Sequence, residues 1–250
     1  MKKRILALIF AVLTAFAVSG CSNRIVIDGE NFNASSTEII LSSRQLNSAD
    51  IEPLKYTTNL RRLVLQDNEI SDISLLAKLT NLRFLSMWDN QISDISPLAG
   101  LTDLRWLHLD NNYISDISPL AGLTDLTWLN LNGNQITDVS ALAGLTNLTW
   151  LSLNSNQISD INALAGLINL ESLGLSYLQI SDISALSGLT GLTQLTLGYN
   201  PISDISALSQ LTGLARLWLI GAQLSAEQIA DLREALPDTE IITEYYQINQ

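Results

Sequence analysis

The chain has one histidine, His108, in the run Leu104-Arg105-Trp106-Leu107-His108-Leu109-Asp110. Alternation in an extended segment puts Trp106, His108 and Asp110 on one face. An imidazole beside a carboxylate is a pair that acid–base catalysis uses, yet such a site also needs a nucleophile or base with an orienting partner, and a pocket. The sequence offers neither a second histidine nor a nearby thiol, since its one cysteine is Cys21. His108 is therefore expected to make a pH-sensitive or hydrogen-bonding contact, with no catalytic residue and no enzyme activity.

A second candidate is the series Asp72, Asp94, Asp116, Asp138, Asp160, Asp182 and Asp204, which raises the question of a bound cation. Calcium takes roughly six or more converging oxygens, whereas each of these carboxylates stands where a short turn needs a side-chain cap. No metal and no cofactor is expected.

The tryptophans carry the sharpest pattern. Segments of the form Leu-x-x-Leu-x-Leu begin at Leu60, Leu82, Leu104, Leu126, Leu148, Leu170, Leu192 and Leu214, with Met87 as the one exception to the leucines. Their outward positions form three columns. The first runs Arg62, Phe84, Trp106, Trp128, Trp150, Ser172, Gln194, Arg216; the second includes His108, Asn130, Ser152 and Trp218; the third includes Gln66, Trp88, Asp110, Asn132 and Asn154. All five tryptophans of the chain fall in these columns. Adjacent strands lie about 4.8 Å apart, so Phe84, Trp106, Trp128 and Trp150 are expected to form a contiguous aromatic ridge, with Trp88 beside it. Exposed apolar surface of this kind marks binding sites. The competing reading is that tandem duplication copied one tryptophan and the rings merely stack on one another. Around the ridge, Asn130, Asn132, Asn154 and Ser152 are polar and neutral, which suits a protein surface and equally a sugar chain.

These columns exist only if the elements recur in register. The inward leucines, with the ladders Ile70/Ile92/Ile114, Ile73/Ile95/Ile117 and Leu76/Leu98/Leu120, cannot be buried by one turn and are buried by stacking. Asn68, Asn90, Asn112, Asn134, Asn156 and Asn200 form an asparagine ladder able to satisfy backbone groups inside the coil. Leu178 and Ala222 interrupt it, which predicts weaker local order from Tyr177 to Gln179. Segments such as Ser96-Pro97-Leu98-Ala99-Gly100 have room for a single tight helical turn. Strands are thus expected on a concave face and short turns on the convex one.

The repeat Asn-x-Ile-Ser-Asp-Ile-Ser-Pro-Leu-Ala-Gly-Leu-Thr, joined to the leucine signature, resembles the repeats of internalins and similar bacterial surface leucine-rich-repeat proteins. The resemblance covers residues 60–224. It implies a non-enzymatic protein that binds a protein ligand on its concave face. Host-cell adhesion is not carried over, because no Ig-like domain or wall-sorting C-terminus follows the repeats.

Residues 1–20 combine Lys2, Lys3 and Arg4 with the apolar run from Ile5 to Val18, the form of a signal peptide. Val18-Ser19-Gly20-Cys21 resembles the lipobox of bacterial lipoproteins, which makes Cys21 the expected lipidation site. Cleavage removes three cations and no acid, taking the net charge from −12 to −15; nucleic acid, whose phosphates need clustered cations, is not an expected partner.

The whole is read as one α/β repeat solenoid, a right-handed leucine-rich-repeat horseshoe with a parallel concave β-sheet. Residues 21–59 form a tether, an N-terminal cap and an irregular first repeat, 60–224 the repeats, and 225–250 a cap helix and strand. The expected role is that of an exported, lipid-anchored, monomeric binding module. Its ligand face comprises Phe84, Trp88, Trp106, His108, Asp110, Trp128, Asn130, Asn132, Trp150 and Asn154, and its partner is a protein. The alternatives are a carbohydrate or cell-wall-binding lipoprotein and a structural envelope protein without a specific ligand.

Overall fold

A computed structural model of the protein describes residues 23–244. Each repeat contributes a strand of three residues: β4 Arg62–Val64, β5 Phe84–Ser86, β6 Trp106–His108, β7 Trp128–Asn130, β8 Trp150–Ser152, β9 Ser172–Gly174, β10 Gln194–Thr196 and β11 Arg216–Trp218. Strand β3 (Glu38–Ile40) precedes them and β12 (Glu240–Ile242) follows, giving a ten-stranded sheet in strict chain order. Each strand in it is parallel to its neighbours and one repeat away from them, so that Phe84 pairs with Trp106, Trp106 with Trp128, and Trp128 with Trp150. This register turns sequence periodicity into columns on a surface.

Behind the sheet the leucine and isoleucine ladders merge into one core, with Leu107, Leu129, Leu151, Ile114, Ile136 and Leu120 all fully buried. Its N-terminal end is closed by an antiparallel hairpin of β1 (Arg24–Ile27) and β2 (Glu30–Asn33), which buries Ile25 and Ile27. The other end is closed by helix α1 (Ala226–Ala235). There Ser225 and Gln228 exchange the two bonds of a capping box, and Leu232 and Leu236 reach the core.

Each strand is cut short by a residue in the left-handed region at its exit, among them Asp67, Asp89, Asn111, Gly133, Ser155, Tyr177, Tyr199 and Gly221. At position 133 a Cβ would lie 2.3 Å from Asn111 Oδ1, so glycine lets the Asn111 side chain pack against this turn, although other repeats hold Asp, Asn, Ser or Tyr in the same conformation. The next residue is the ladder asparagine. Asn134 Nδ2 donates to the carbonyls of Leu109 and Leu131, at 3.0 and 3.1 Å, while its Oδ1 accepts from the Ile114 amide at 3.0 Å. One side chain thereby ties two consecutive turns. Asn90, Asn112, Asn156 and Asn200 repeat this pattern.

Leu178 breaks the series at the turn below. The fully buried Ile158 has no acceptor for its amide among the described residues, and neither has Ile202 opposite Ala222. A buried amide without a partner opens more readily. The Ile158 amide is expected to exchange with solvent faster than the Ile136 amide, and Leu178→Asn to slow it; equal protection of the two amides in the unmodified protein would refute this.

The far side of each repeat is a single 3₁₀ turn, such as Ser96–Leu98, Ser118–Leu120 and Ser140–Leu142, with Pro97 and Pro119 fixing the first turn in two of them. The Asp column serves these turns from one position earlier than a formal N-cap, because residues such as Ile95 and Ile117 occupy the cap itself. Asp94 Oδ1 accepts from the Ser96 amide and Asp116 Oδ1 from the Ser118 amide, each at 2.8 Å. These bonds hold carboxyls below their usual range: the Ser96, Ser184 and Ser206 amides do so for Asp94, Asp182 and Asp204, and the Ser140 hydroxyl first for Asp138. The small stabilisation they give is present above the ordinary carboxylate range and fades as the pH falls through the lowered values. Among the described residues no cluster of His, Cys, Asp or Glu is placed to hold a metal.

Candidate functional site

The first outward column of β5 to β8 is an unbroken stack. Phe84 and Trp106 lie with centroids 4.1 Å apart at 5°, Trp106 and Trp128 at 4.0 Å and 14°, and Trp128 and Trp150 at 4.2 Å and 8°. Parallel strands in register set this spacing, because the strand interval is close to the thickness of two rings in contact. The N-terminal end of the stack is covered by the Arg62 guanidinium, 3.6 Å from the Phe84 centroid and held by Glu38 at 2.8 Å. At the other end Trp150 pairs in register with the small Ser172. The interior rings are half-buried because their faces cover one another, and it is their edges that meet solvent. The indole N–H groups of Trp106, Trp128 and Trp150 have no acceptor among the described residues.

His108 lies beside this stack. Its ring meets Trp106 edge-on at 5.5 Å and 86°, and Trp128 at 5.3 Å and 72°. Trp88 lies 6.1 Å from it and donates its own Nε1–H to Gln66 Oε1 at 2.9 Å. His108 Nε2 faces two groups, the Asn130 amide nitrogen at 3.0 Å and Asp110 Oδ2 at 3.7 Å. Asn130 Oδ1 already accepts from the Asn132 amide at 3.0 Å, so its NH₂ donates to Nε2 in the tautomer protonated at Nδ1. His108 is packed and hydrogen-bonded, with no nucleophile against it.

The polar residues read from the sequence as surroundings of the ridge are joined to each other. Asn132 Oδ1 accepts from Ser152 Oγ at 2.7 Å and from the Asn154 amide at 2.8 Å; Asn154 Oδ1 accepts from the Ser176 amide at 2.7 Å. Val64, Ser86, Asn130 and Ser152, all outward by alternation, are nonetheless buried under their neighbours. The floor beside the ridge is therefore a fixed network, and the ridge stands above it.

Two features of this face escaped the sequence reading. Arg61, Arg83 and Arg105 form a column at the strand entrances, linked by Arg83 N–H to Arg61 O at 2.8 Å and Arg105 N–H to Arg83 O at 2.9 Å. None of the three has a carboxylate within salt-bridge distance among the described residues. At the strand exits Tyr177 and Tyr199 stack at 4.3 Å and 12°. Both columns follow the same period as the tryptophans and lie just outside the positions taken as the binding face. Cys21 lies outside the described residues.

Comparison with known proteins agrees with this architecture. The family described as Leucine Rich repeats (2 copies) matches residues 58–100, 102–144, 124–166, 146–188 and 168–210. Internalin C2 of Listeria monocytogenes is 36% identical with a TM-score of 0.71, the match covering 77% of this chain and 83% of that one. A leucine-rich-repeat protein of Leptospira interrogans has a TM-score of 0.68 at 24% identity, covering 76% of this chain and 56% of its own. The plant peptide hormone receptor RGFR1, in complex with RGF2, has a TM-score of 0.72 at 21% identity, covering 85% of this chain and 36% of its own. No curated protein sequence matches the chain. Ten parallel strands in register, a single 3₁₀ turn per repeat, the asparagine ladder and these matches show that the chain belongs to the leucine-rich-repeat family, with internalins among its structural neighbours.

Proposed function

We propose that the protein is a non-enzymatic, extracytoplasmic binding module that recognises a protein ligand through the aromatic half of its sheet face. The observation that carries this reading is the stack from Phe84 to Trp150. It presents a rigid apolar crest with three indole donors along it. Rigid aromatic anchors with little side-chain entropy to lose suit protein recognition. Phe84, Trp88, Trp106, Trp128 and Trp150 are the contact residues, with Asp110 at the rim. His108, Asn130, Asn132 and Asn154 hold the crest in place as much as they face the partner. The likeness to internalin C2 supports a binding role without naming a ligand.

The carbohydrate reading of the ridge is weakened by the same geometry. A sugar stacks on a ring face, and at about 4 Å separation nothing enters between the rings. The test is affinity capture with the wild type, with Trp106→Ala/Trp128→Ala and with Ala121→Arg on the opposite side. A protein captured by the first and third but not the second supports the reading; capture unaffected by loss of the two tryptophans refutes it.

Export and lipid anchoring at Cys21 belong to the same proposal, resting on the basic, apolar and Val18-Ser19-Gly20-Cys21 order of the N-terminus. Cells fed radiolabelled palmitate are expected to label the wild type and not Cys21→Ala. A labelled Cys21→Ala protein would contradict the anchor.

A further inference from the structure

The C-terminal half of the sheet face has a different character from the ridge. Past Trp150 the second and third outward columns turn small, with Gly174, Ser176, Thr196 and Gly198, and rise again at Trp218 and Ile220, while the first continues as Ser172, Gln194 and Arg216. The result is a hollow of about 350 Å³, within the size range of small-ligand sites. Gly198 keeps its floor open, since a Cβ there would crowd the Ile220 carbonyl at 3.0 Å.

We propose that this hollow is a binding site for a neutral sugar ring, separate from the ridge. Three observations carry it. First, Trp218 lines the hollow, and among the described residues no aromatic ring lies against it. Its register neighbours are Thr196 and Ile242. The ridge indoles between Phe84 and Trp150 are sandwiched, whereas this one is not. The face of an indole is electron-rich and attracts the weakly positive C–H groups on a pyranose face. Second, the stacked Tyr177 and Tyr199 make an aromatic wall at the strand exits of the same hollow. Third, among the described residues that line it none is an acid, a lysine, an arginine or a histidine, while the hydroxyls of Ser155, Ser176 and Thr196 bring short neutral hydrogen-bonding groups to it, the Asn154 side chain being already engaged by Ser152 and the Ser176 amide.

The last point separates a sugar from the apolar anchor of a protein. An aliphatic or aromatic side chain buried here would strip water from those hydroxyls without replacing its hydrogen bonds, which is unfavourable. The hydroxyl rim of a sugar replaces the water. The absence of charge likewise selects a neutral saccharide over a sulfated or uronic one.

The five indole N–H groups make the test direct, since each tryptophan gives one cross-peak in a ¹⁵N spectrum, assignable by single Trp→Phe substitutions. The protein is titrated with cellotriose, chitotriose and mannotriose, each to about 10 mM, in the range where a single-ring contact binds. The expected result is a saturable shift of the Trp218 peak with at least one trisaccharide, leaving Trp106 and Trp128 in place. Saturation transfer to that sugar is expected to vanish in Trp218→Ala, to fall in Tyr199→Ala and to persist in Trp106→Ala. No saturable shift of Trp218 with any of the three sugars overturns the proposal, as does a shift confined to the ridge indoles or transfer undiminished in Trp218→Ala. Capture of a protein by the ridge is read independently, so either site can fail alone.

Discussion

Asn134→Ala lowers the unfolding free energy by about 3 kcal/mol or more, by the removal of several buried hydrogen bonds at once. Its Nδ2 serves the carbonyls of Leu109, Leu131 and Asn132, and its Oδ1 is the acceptor for the Ile114 amide. Alanine leaves these groups in an interior where water cannot reach them freely, and an unsatisfied buried group costs about 1–3 kcal/mol. Position 134 also lies mid-array, where a solenoid depends on both neighbours of each turn. Asn134→Asp is expected to be as damaging: it keeps the shape but turns a donor facing three carbonyls into an acceptor. Asn68, at the partly exposed start of the ladder, costs less when truncated. Urea unfolding of the three variants measures this, and an Asn134→Ala protein as stable as the wild type would refute the ladder's role.

Trp128→Ala weakens the captured protein ligand by about 30- to 1000-fold, the range of a central hot spot, while leaving the fold intact. Trp128 is stacked on both sides and takes the edge of His108. Its loss breaks the crest in the middle and frees three neighbours to move. Its side chain lies on the outer face of the sheet, away from Leu129 and the core, so stability changes far less than affinity. Trp218→Ala is expected to change affinity for the protein ligand little. Calorimetric titration against the captured protein decides the matter; equal losses from Trp128→Ala and Trp218→Ala would show that the stack has no special part in binding.

The columns were legible in the sequence because a solenoid makes linear period and lateral position the same quantity. Once Leu60, Leu82 and Leu104 fix the register, Trp106 must lie beside Trp128. The capping box at Ser225 and Gln228 was legible for a different reason, as a local motif whose bonds close within four residues. What the sequence hid depends on side-chain direction and on neighbours' bulk. Alternation assigned Asn130 and Ser152 outward, and they do lie on that face, yet their neighbours bury them. Nothing in their spacing told whether Asn132 and Asn154 would face a ligand or each other, because the choice rests on bonds across a repeat boundary. Arg61, Arg83 and Arg105 sit one position before the strand, where alternation assigns no face. Tyr177 and Tyr199 sit in left-handed backbone just after it, so neither column falls on an outward strand position.

The most direct measurement of the central claim is photo-crosslinking from benzoylphenylalanine placed, one site at a time, at Phe84, at Trp150 and at Ala121, in the cell that makes the protein. The first two sites end the stack, and the third is on an exposed 3₁₀ turn on the opposite side. The stack as a ligand-binding crest predicts the same protein adduct from positions 84 and 150 and none from 121. An adduct from 121 alone, or one formed equally well from all three, would contradict it.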